Sequence, residues 1–331
     1  AAAPGATSSI KVATSMHILL ITPAPARSLS GNRATANRWA RLLRALGHRV
    51  DVTVEYSGQR ADLMVALHAW RSAAAIQAFS HAYPERPLIV VLTGTDAYRF
   101  IHTDTETTLA SLAAADRIVG LHALIADCVP DSLRQKVRVI YQSARPLGER
   151  RPPQRLFRVC VAGHLRDEKD SLRTALAVRD LPPSSRIRVD AYGKAHTAEW
   201  EHAARAEAAG NSRYRWHGEI ARSRLRDVYR RSHLLALTSR MEGGANVVSE
   251  AVMADLPVVA SRIAGSVGLL GADYPGYYPP EDTPALRDLL LRAESDAVFY
   301  ADLQAACRIR RPLFSEQAEQ AGWAELLADL V

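Results

Sequence analysis

Residues 238–271 read TSRMEGGANVVSEAVMADLPVVASRIAGSVGLLG. The apolar run HLLALTS, which leads into this stretch, and PVVAS within it are typical of strands buried in a parallel sheet. Between them the sequence predicts a glycine turn and a helix that begins at about Ala245 and ends before Pro257. The N–H groups at a helix N-terminus attract phosphate, and glycines let the chain approach an anion or a sugar closely. Glu250 lies inside the helix and is placed to accept hydrogen bonds from a pair of hydroxyls, so the stretch predicts a nucleotide-sugar cradle.

Length and composition set the frame for this cradle. A chain of 331 residues suits two domains, and 48% hydrophobic with 23% charged residues is normal for a globular protein. The three cysteines, Cys128, Cys160 and Cys307, are too far apart for a CxxC metal site and fit a reducing cytoplasm, where we expect the protein to be found. The apolar runs fall short of the roughly 20 residues of a membrane span, so we expect no stable membrane insertion.

The net charge of +7 and the pI of about 9.5 have two interpretations. They are compatible with an anionic ligand, such as a nucleotide, a phosphate or a nucleic acid. They are also compatible with an arginine-rich solvated surface. On charge alone we favour that second interpretation. The arginines are scattered and the aromatic residues few, whereas a nucleic-acid interface needs a basic stripe with stacking aromatic side chains. We therefore expect no nucleic-acid partner.

Strand and helix patterns alternate along the chain in two successive series. This alternation predicts an α/β protein made of two Rossmann-like, doubly wound parallel-sheet domains that face a central cleft. The predicted parts are a tail or expression remnant (1–15), a first domain (16–145), a Pro- and Arg-rich linker (146–155), a second domain (156–311) and a C-terminal helix that could return to the first domain (312–331).

A second candidate site precedes the cradle. The loop GHLRDEK, residues 163–169, follows a predicted strand and precedes a helix. Arg166 and Lys169 could neutralise a leaving diphosphate. Taken alone, however, the loop is better explained as an ordinary charged βα connection in which Asp167 and Glu168 balance the two bases. The turn at residues 218–220 has the same ambiguity, since its glycine could bring backbone groups to a base edge or simply reverse the chain.

The order of these segments resembles that of retaining glycosyltransferases of the two-domain B fold, specifically the large family 4 group, over nearly the whole chain. Members of that group carry a Gly-Arg-Leu…Glu-Lys loop and a Glu-x7-Glu motif in the second domain. Glu168 and Lys169 match the first, and Glu242 with Glu250 match the second. His164 departs from the pattern because it stands where the family usually has arginine, which leaves open whether Arg166 substitutes for it.

The resemblance implies roles for individual residues. Lys169, Arg166 and Glu242 are implied as the catalytic residues that act on the diphosphate and the transferred hexose. The residues implied for binding the rest of the donor are Gly163, His164, Gly218, Glu219, Ile220, Gly243, Gly244, Ala245, Asn246 and Glu250, the last on the ribose. The acceptor is expected along the first domain, at Gly31, Asn32, Arg33, Thr95, Asp96 and His122. No Asp-x-Asp motif occurs, and we expect neither a metal nor a cofactor other than the co-substrate.

A narrower resemblance concerns the acceptor. The segments VVLTGTDAYR, GHLRDEKD and SRMEGGANVVSEAV, with the region around the first helix, are similar to those of the selenosugar synthases of selenoneine biosynthesis. That resemblance implies transfer of a hexose from UDP-GlcNAc or UDP-glucose to selenophosphate, with formation of a carbon–selenium bond. Such a nucleophile is already deprotonated near neutral pH, and the sequence shows no obvious Ser-His-Asp or Cys-His relay.

An ordinary family 4 transferase that acts on a lipid or oligosaccharide remains the alternative. It would want a basic and apolar helix beside the cleft of the first domain. The only candidate is ATANRWARLLRALGH, residues 34–48, and the spacing of its Trp and Leu positions is typical of a core helix. We therefore prefer the small anionic acceptor. Oligomeric state does not follow from the sequence.

Overall fold

The computed structural model describes residues 15–330, which form two six-stranded parallel sheets. The predicted tail lies outside the described residues except for Ser15. The first sheet has the strand order β2-β1-β3-β4-β5-β6 and the second β12-β11-β10-β7-β8-β9. In each sheet the strand order reverses beside the first strand of the domain, as in doubly wound folds, so the predicted fold class is confirmed.

The first domain alternates strands and helices as the apolar periodicity predicts. Its strands are β1 (His17–Ile21), β2 (Arg49–Thr53), β3 (Leu63–Leu67), β4 (Leu88–Val91), β5 (Arg117–Gly120) and β6 (Val137–Val139). Its helices are α1 (Gly31–Ala45), α2 (Ala73–Ala82), α3 (Ile101–Thr103), α4 (Thr105–Ala114) and α5 (Asp131–Arg134). Strand β1 shows why these runs lack alternation. Ile18 and Leu20 pack into the core on one face of the sheet, and Leu19 and Ile21 pack into the core on the other.

The second domain repeats the plan and adds helices at its end. Its strands are β7 (Phe157–Ala162), β8 (Ile187–Tyr192), β9 (Tyr214–Trp216), β10 (Leu234–Leu237), β11 (Val258–Ser261) and β12 (Tyr277–Tyr278). Its helices are α6 (Arg173–Ala177), α7 (Ala198–Gly210), α8 (Arg222–Arg231), α9 (Asn246–Met253), α10 (Ala264–Leu270), α11 (Thr283–Ser295) and α12 (Ala297–Arg310), and α13 (Glu316–Ala328) follows.

Two segments have regular structure that the sequence patterns do not predict. The segment after β4 forms a π-helical turn at Asp96–Phe100, which continues directly into α3. The glycine-rich stretch after β11 contains helix α10 and strand β12. In both places tertiary contacts decide the conformation that local propensity leaves open.

Helix α13 lies against the first domain rather than the second. Trp323 is fully buried in the first-domain core and meets Trp39 of α1 edge to face, with ring centroids 4.8 Å apart. Beside this pair, the buried carboxylate of Glu319 accepts hydrogen bonds from Trp39 Nε1 at 2.6 Å, from Arg38 Nε at 3.1 Å and from the backbone N–H of Ser143 at 2.9 Å. These contacts fasten α13 to α1 and to the last residues of the first domain.

Replacing Glu319 with alanine is expected to lower the free energy of unfolding by about 3–5 kcal/mol, because Arg38 would keep a buried charge without its partner. Chemical denaturation followed by circular dichroism measures the loss. Glu325→Ala is the matched control, since Glu325 is exposed on the same helix. Equal stability of the two variants would show that the Glu319 cluster does not hold the terminus.

Candidate active site

A cavity of about 500 Å³ lies between the two sheets, at the carboxyl ends of their strands. The first domain contributes the segments that follow β1, β3 and β4. The second contributes those that follow β7, β8, β9 and β10. A cavity of this volume is in the range that small ligands occupy.

An ion pair between Lys169 and Glu242 stands on the second-domain side of the cavity. Both side chains are largely buried, and Ser239 Oγ donates a further hydrogen bond to the same Glu242 oxygen at 2.5 Å. The Thr238 hydroxyl donates to the backbone carbonyls of Lys169 and Asp170 at 2.9 and 3.0 Å. The end of β10 therefore fixes the position of the loop after β7, and the two sequence motifs form one unit.

The basic loop of residues 163–169 is braced in the same way. The backbone N–H of Arg240 donates to the Glu168 carbonyl at 2.8 Å. The Glu168 carboxylate lies 3.6 Å from Arg166 and 3.6 Å from Arg99 of the first domain. Burial opposes ionisation of Glu168, but its own backbone N–H and the charges of Arg166 and Arg99 outweigh burial and hold the pKa of this carboxyl below its ordinary value. Arg166 Nε is buried and has no hydrogen-bond partner among residues 15–330.

His164, the departure from the family pattern, lines the cavity beside Glu219, with 4.0 Å between ring nitrogen and carboxylate. Burial lowers the pKa of His164. The charge of Glu219 raises this pKa, and the charge of Arg166 lowers it further. The ring is therefore biased toward its neutral form and does not replace the charge of an arginine. Arg166 is the cation that this loop offers to the cavity.

Glu250 already has two partners at the far end of α9. It forms an ion pair with Arg222 and accepts a hydrogen bond from the Tyr229 hydroxyl at 2.8 Å. Tyr229 is buried, so it holds one carboxylate oxygen from beneath, while Arg222, which is partly exposed, shares the cavity wall with Glu250. A ligand that binds Glu250 has to displace or share Arg222.

The glycines of the cradle make contacts that the sequence did not predict. A Cβ at Gly243 would lie within 2.5 Å of the Thr93 carbonyl oxygen, and one at Gly94 would lie 2.9 Å from Gly243 N. A Cβ at Gly244 would collide with the side chain of Leu121. Gly243 and Gly244 thus let the second domain touch the backbone and core of the first. They line the cavity where the two domains meet.

The N-termini of α1 and α9 approach each other across the cleft. A Cβ at Gly31 would lie 3.7 Å from Asn246 Nδ2, and Arg38 of α1 donates to Asn246 Oδ1 at 3.0 Å. Ser30 caps α1 by accepting from Arg33 N at 3.5 Å. Because a helix N-terminus carries partial positive charge, two of them beside Arg166 and Lys169 give this region a field that favours anions.

The structure brings most of the predicted site residues to one cavity. Those that line it are Gly31, Asn32, Thr95, Gly163, His164, Arg166, Lys169, Glu219, Ile220, Glu242, Gly243, Gly244, Ala245, Asn246 and Glu250. Four predicted residues, Arg33, Asp96, His122 and Gly218, are not part of its wall. The structure therefore places these four beside or behind the cavity, and their role toward a ligand stays a prediction.

Each of the clearest exceptions has a structural partner instead. Asp96 is fully buried, and its carboxylate accepts N–H bonds from Ala69, Thr93 and Gly94 at 2.8–2.9 Å. His122 is also fully buried and bonds the Tyr98 hydroxyl at 2.8 Å, and burial lowers its pKa to about 4. These two residues shape the loops behind the wall.

The remaining exceptions are a glycine in a turn and a partly buried arginine. Gly218 adopts a φ of +70°, and its carbonyl accepts from Gly193 N at 2.8 Å, so it closes a turn behind Glu219. Arg33 lies on α1 next to cavity-lining Asn32, but its Nε is buried without a partner among the described residues.

Several cavity residues were absent from the predicted site. They are Ser28, His68 and Arg71 of the first domain and the segment 192–196 after β8. All follow the carboxyl ends of parallel strands, and that rule alone could have identified them. His68 also has a φ of +75°, a conformation that the sequence does not announce for a histidine.

Two features are absent from residues 15–330. No group of three or more His, Cys, Asp or Glu side chains in that range is arranged to hold a metal ion. Within the same range, the helices are all too short or too polar to cross a membrane.

Two Rossmann-like domains with a ligand-sized cleft at their strand ends are the architecture of GT-B glycosyltransferases. Residues 149–309 match the family model described as Glycosyl transferases group 1. The matched residues make up most of the second domain and just under half of the chain, so that part of the chain is similar to a group 1 glycosyltransferase domain. No curated protein matches the chain.

Solved structures share the fold at low sequence identity. HepE from Anabaena, in complex with UDP and glucose, has a TM-score of 0.76 at 16% identity and covers 95% of this chain and 100% of its own. Sucrose-phosphate synthase from Thermosynechococcus elongatus has a TM-score of 0.74 at 16% identity and covers 95% and 98%. A glycosyltransferase from Rickettsia africae has a TM-score of 0.72 at 13% identity and covers 96% and 99%. At these identities the likeness concerns the fold.

Proposed function

We propose that this glycosyltransferase moves a hexose, glucose or GlcNAc, from a UDP-sugar to a small anionic acceptor, and that the acceptor is selenophosphate. The observation that carries the proposal is the unit formed by the 163–169 loop and the 238–246 turn. It places Lys169, Arg166 and the N-terminus of α9 around one cavity beside Glu242. Such a group of cations and amides suits a departing diphosphate.

The donor would lie mainly along the second domain. HepE, which shares the fold, has been solved with UDP and with UDP-glucose, which makes UDP the first choice of nucleotide here. Glu250 would receive the ribose hydroxyls, and the backbone of Glu219 and Ile220 would border the base. Arg166 and Lys169 would face the diphosphate, and Glu242 would then exchange its bond to Lys169 for one to the hexose.

In the proposed reaction, the selenium of selenophosphate attacks C1 of the hexose. A lone pair on selenium forms the C–Se bond, the bond from C1 to the β-phosphate oxygen breaks, and its electron pair leaves on UDP. No proton has to be removed from the nucleophile. The contribution of the chain is to hold the reactants together and to stabilise the charge that grows on UDP, through Lys169, Arg166 and the α9 amides.

The alternative acceptor, a lipid or an oligosaccharide, has less support. Its candidate membrane-binding helix is α1, and Trp39, Leu42 and Leu43 of that helix are buried in the first-domain core. The apolar face that a membrane would need is thus already covered within the protein.

The test is UDP release from UDP-glucose and from UDP-GlcNAc, each with and without selenophosphate under anaerobic conditions. We expect release to depend on selenophosphate, with a selenium-containing sugar found by mass spectrometry. Thiophosphate serves as the sulfur analogue, and inorganic phosphate as the control that lacks a soft nucleophile. Release that proceeds equally without selenophosphate would refute the acceptor, and failure to bind UDP would refute the donor.

Replacing Glu250 with alanine is expected to raise the Kd of UDP by about 10- to 100-fold, because two hydroxyls lose a charged hydrogen-bond acceptor. Isothermal titration calorimetry with UDP and with 2′-deoxy-UDP measures the effect. Wild type should prefer UDP over the deoxy compound, whereas Glu250→Ala should not discriminate between them. Equal discrimination by both proteins would place the ribose elsewhere.

A further inference from the structure

The first-domain wall of the cavity differs in charge from the second-domain wall. The acidic residues that line the cavity, Glu168, Glu219, Glu242 and Glu250, all belong to the second domain. Among the described residues, the first-domain wall has no aspartate or glutamate and presents Arg71, His68 and several hydroxyls, including those of Ser28 and Thr95. An anion can therefore approach this wall without meeting a like charge.

His68 is the most constrained residue of that wall. It follows β3, has a φ of +75° and is only 2% exposed. Non-glycine residues in this conformation are uncommon and cluster at functional sites. Its Nε2 lies 3.0 Å from the Thr95 hydroxyl, and its Nδ1 lies 3.1 Å from the backbone N of Arg71.

The second of these contacts fixes where the ring proton is. The Arg71 backbone N–H is a donor, so His68 Nδ1 has to accept and carries no proton. In a neutral imidazole the proton then sits on Nε2, which donates to Thr95 Oγ1. The Thr95 hydroxyl makes no other hydrogen bond within residues 15–330, and Thr95 lines the cavity. Its own proton is therefore available to a ligand.

The charged neighbours of His68 leave this assignment in place. Asp96, on the π-helical turn that packs against the ring, lies 3.9 Å from Nδ1, which is too far for a hydrogen bond. Its carboxylate is already occupied by the N–H groups of Ala69, Thr93 and Gly94. Burial lowers the pKa of His68, Asp96 opposes the shift and Arg71 assists it, so the neutral ring is favoured. Thr95, His68 and Asp96 lie in the order of a proton relay. The hydrogen bond that such a relay needs between His68 and Asp96 is absent.

We propose that His68 is a positioning residue that turns the Thr95 hydroxyl toward an oxyanion of the acceptor, so that the site binds nucleophiles that arrive ionised and offers no general base to neutral ones. This inference rests on the proposed function and specifies the acceptor class. In the step it serves, the nucleophile's lone pair forms the bond to C1, and the pair of the C1–O bond leaves on the diphosphate. No proton changes place.

The experiment compares wild type with His68→Ala, His68→Gln, Thr95→Val and Thr95→Ser, using thiophosphate as the ionised acceptor and glycerol as the neutral one. A glutamine amide can donate a hydrogen bond but cannot act as a base. We expect the acceptor KM to rise about 10- to 100-fold in His68→Ala and Thr95→Val, the range for losing a hydrogen bond to a charged group, and to recover largely in His68→Gln and Thr95→Ser. Donor KM should not change.

Two further readouts separate positioning from base catalysis and from misfolding. The solvent isotope effect on kcat with thiophosphate should be close to unity, since no proton is in flight. The threonine pair keeps the test valid if a His68 variant fails to fold, because neither change touches the strained backbone of His68.

Three outcomes would overturn the proposal. The first is that His68→Gln turns over as slowly as His68→Ala and that kcat shows a clear solvent isotope effect. Together these results would show that His68 acts as a base. The second is wild type transferring to glycerol as readily as to thiophosphate. The third is an unchanged acceptor KM in both Thr95→Val and His68→Ala while UDP still binds. By contrast, wild type that does not bind UDP would refute the proposed function itself, and this inference with it.

Discussion

Replacing Lys169 with methionine is expected to lower kcat by about 100- to 1,000-fold, the range for removing one group that stabilises the charge developing in a transition state. Lys169 lines the cavity. The Thr238 hydroxyl donates a hydrogen bond to the backbone carbonyl of Lys169 and so helps to fix the position of this residue. Methionine keeps most of the side-chain length and removes the charge. Because the charge on the diphosphate grows as the C1–O bond breaks, the loss should fall on kcat more than on the Kd of UDP.

Steady-state kinetics with a UDP-sugar and thiophosphate, together with calorimetry of UDP, checks this division. Lys136→Met is the matched control, since Lys136 is not part of the cavity wall and donates to the backbone carbonyls of Ala113 and Ala115. We expect that control to leave kcat almost unchanged. A loss in Lys169→Met that appears wholly as weaker UDP binding would contradict a role in leaving-group stabilisation.

Glu242 provides an internal comparison for this prediction. It is the carboxylate that pairs with Lys169, and Ser239 orients it. Glu242→Gln would keep the shape of the site and remove the competing negative charge. If Lys169 has to leave Glu242 before it meets the diphosphate, this variant should bind UDP at least as tightly as wild type. It should still turn over slowly if the carboxylate also holds the hexose.

The sequence was most informative where a local pattern determines the structure by itself. Unbroken apolar runs such as HILLI and LLAL can be satisfied only by burial on both faces, so the parallel strands followed directly. Strand ends then predict the edge at which ligands bind, and the cavity lies there. The pairing of Lys169 with Glu242 was not visible from spacing, because it joins residues from two separate crossovers of the sheet.

The role of individual glycines could not be predicted from the sequence. The stretch after β11 contains Gly265 and Gly268, and both lie within helix α10. A Cβ at Gly265 would meet the Glu242 backbone, and one at Gly268 would meet His122. These glycines allow close packing between elements. A single sequence does not distinguish a glycine required for packing from one required for a turn or a ligand contact.

Asp96 and His68 show the same limit for polar residues. Both follow strands at the ligand-binding edge, so from the sequence each is an equally good candidate for a ligand contact. The structure separates them, because the Asp96 carboxylate is consumed by backbone N–H groups, whereas His68 orients a hydroxyl that lines the cavity. Which way a side chain turns at a strand end depends on the backbone angles there, and the φ of +75° at His68 has no sequence signature.

Replacing Gly243 with alanine is expected to lower kcat by about 100-fold or more while the Kd of UDP changes little. The added Cβ would lie within 2.5 Å of the Thr93 carbonyl oxygen, and the neighbouring atoms are backbone that cannot turn aside. The two domains would then have to stand apart at their point of contact. A misplacement of about 1 Å between donor and acceptor is enough for a loss of this size.

The expected loss in kcat without a change in the Kd of UDP follows from where the donor binds. The residues proposed to hold UDP, from Arg166 to Glu250, all belong to the second domain, whereas His68 and Thr95 of the proposed acceptor site belong to the first. Separation of the domains should therefore leave UDP binding intact and prevent the acceptor from reaching C1. Gly210→Ala is the matched control, since a Cβ there meets nothing within 4 Å. Small-angle X-ray scattering should show a larger radius of gyration for Gly243→Ala with UDP bound than for the control. A Gly243→Ala enzyme with wild-type kcat would mean that catalysis does not require the contact between Gly94 and Gly243.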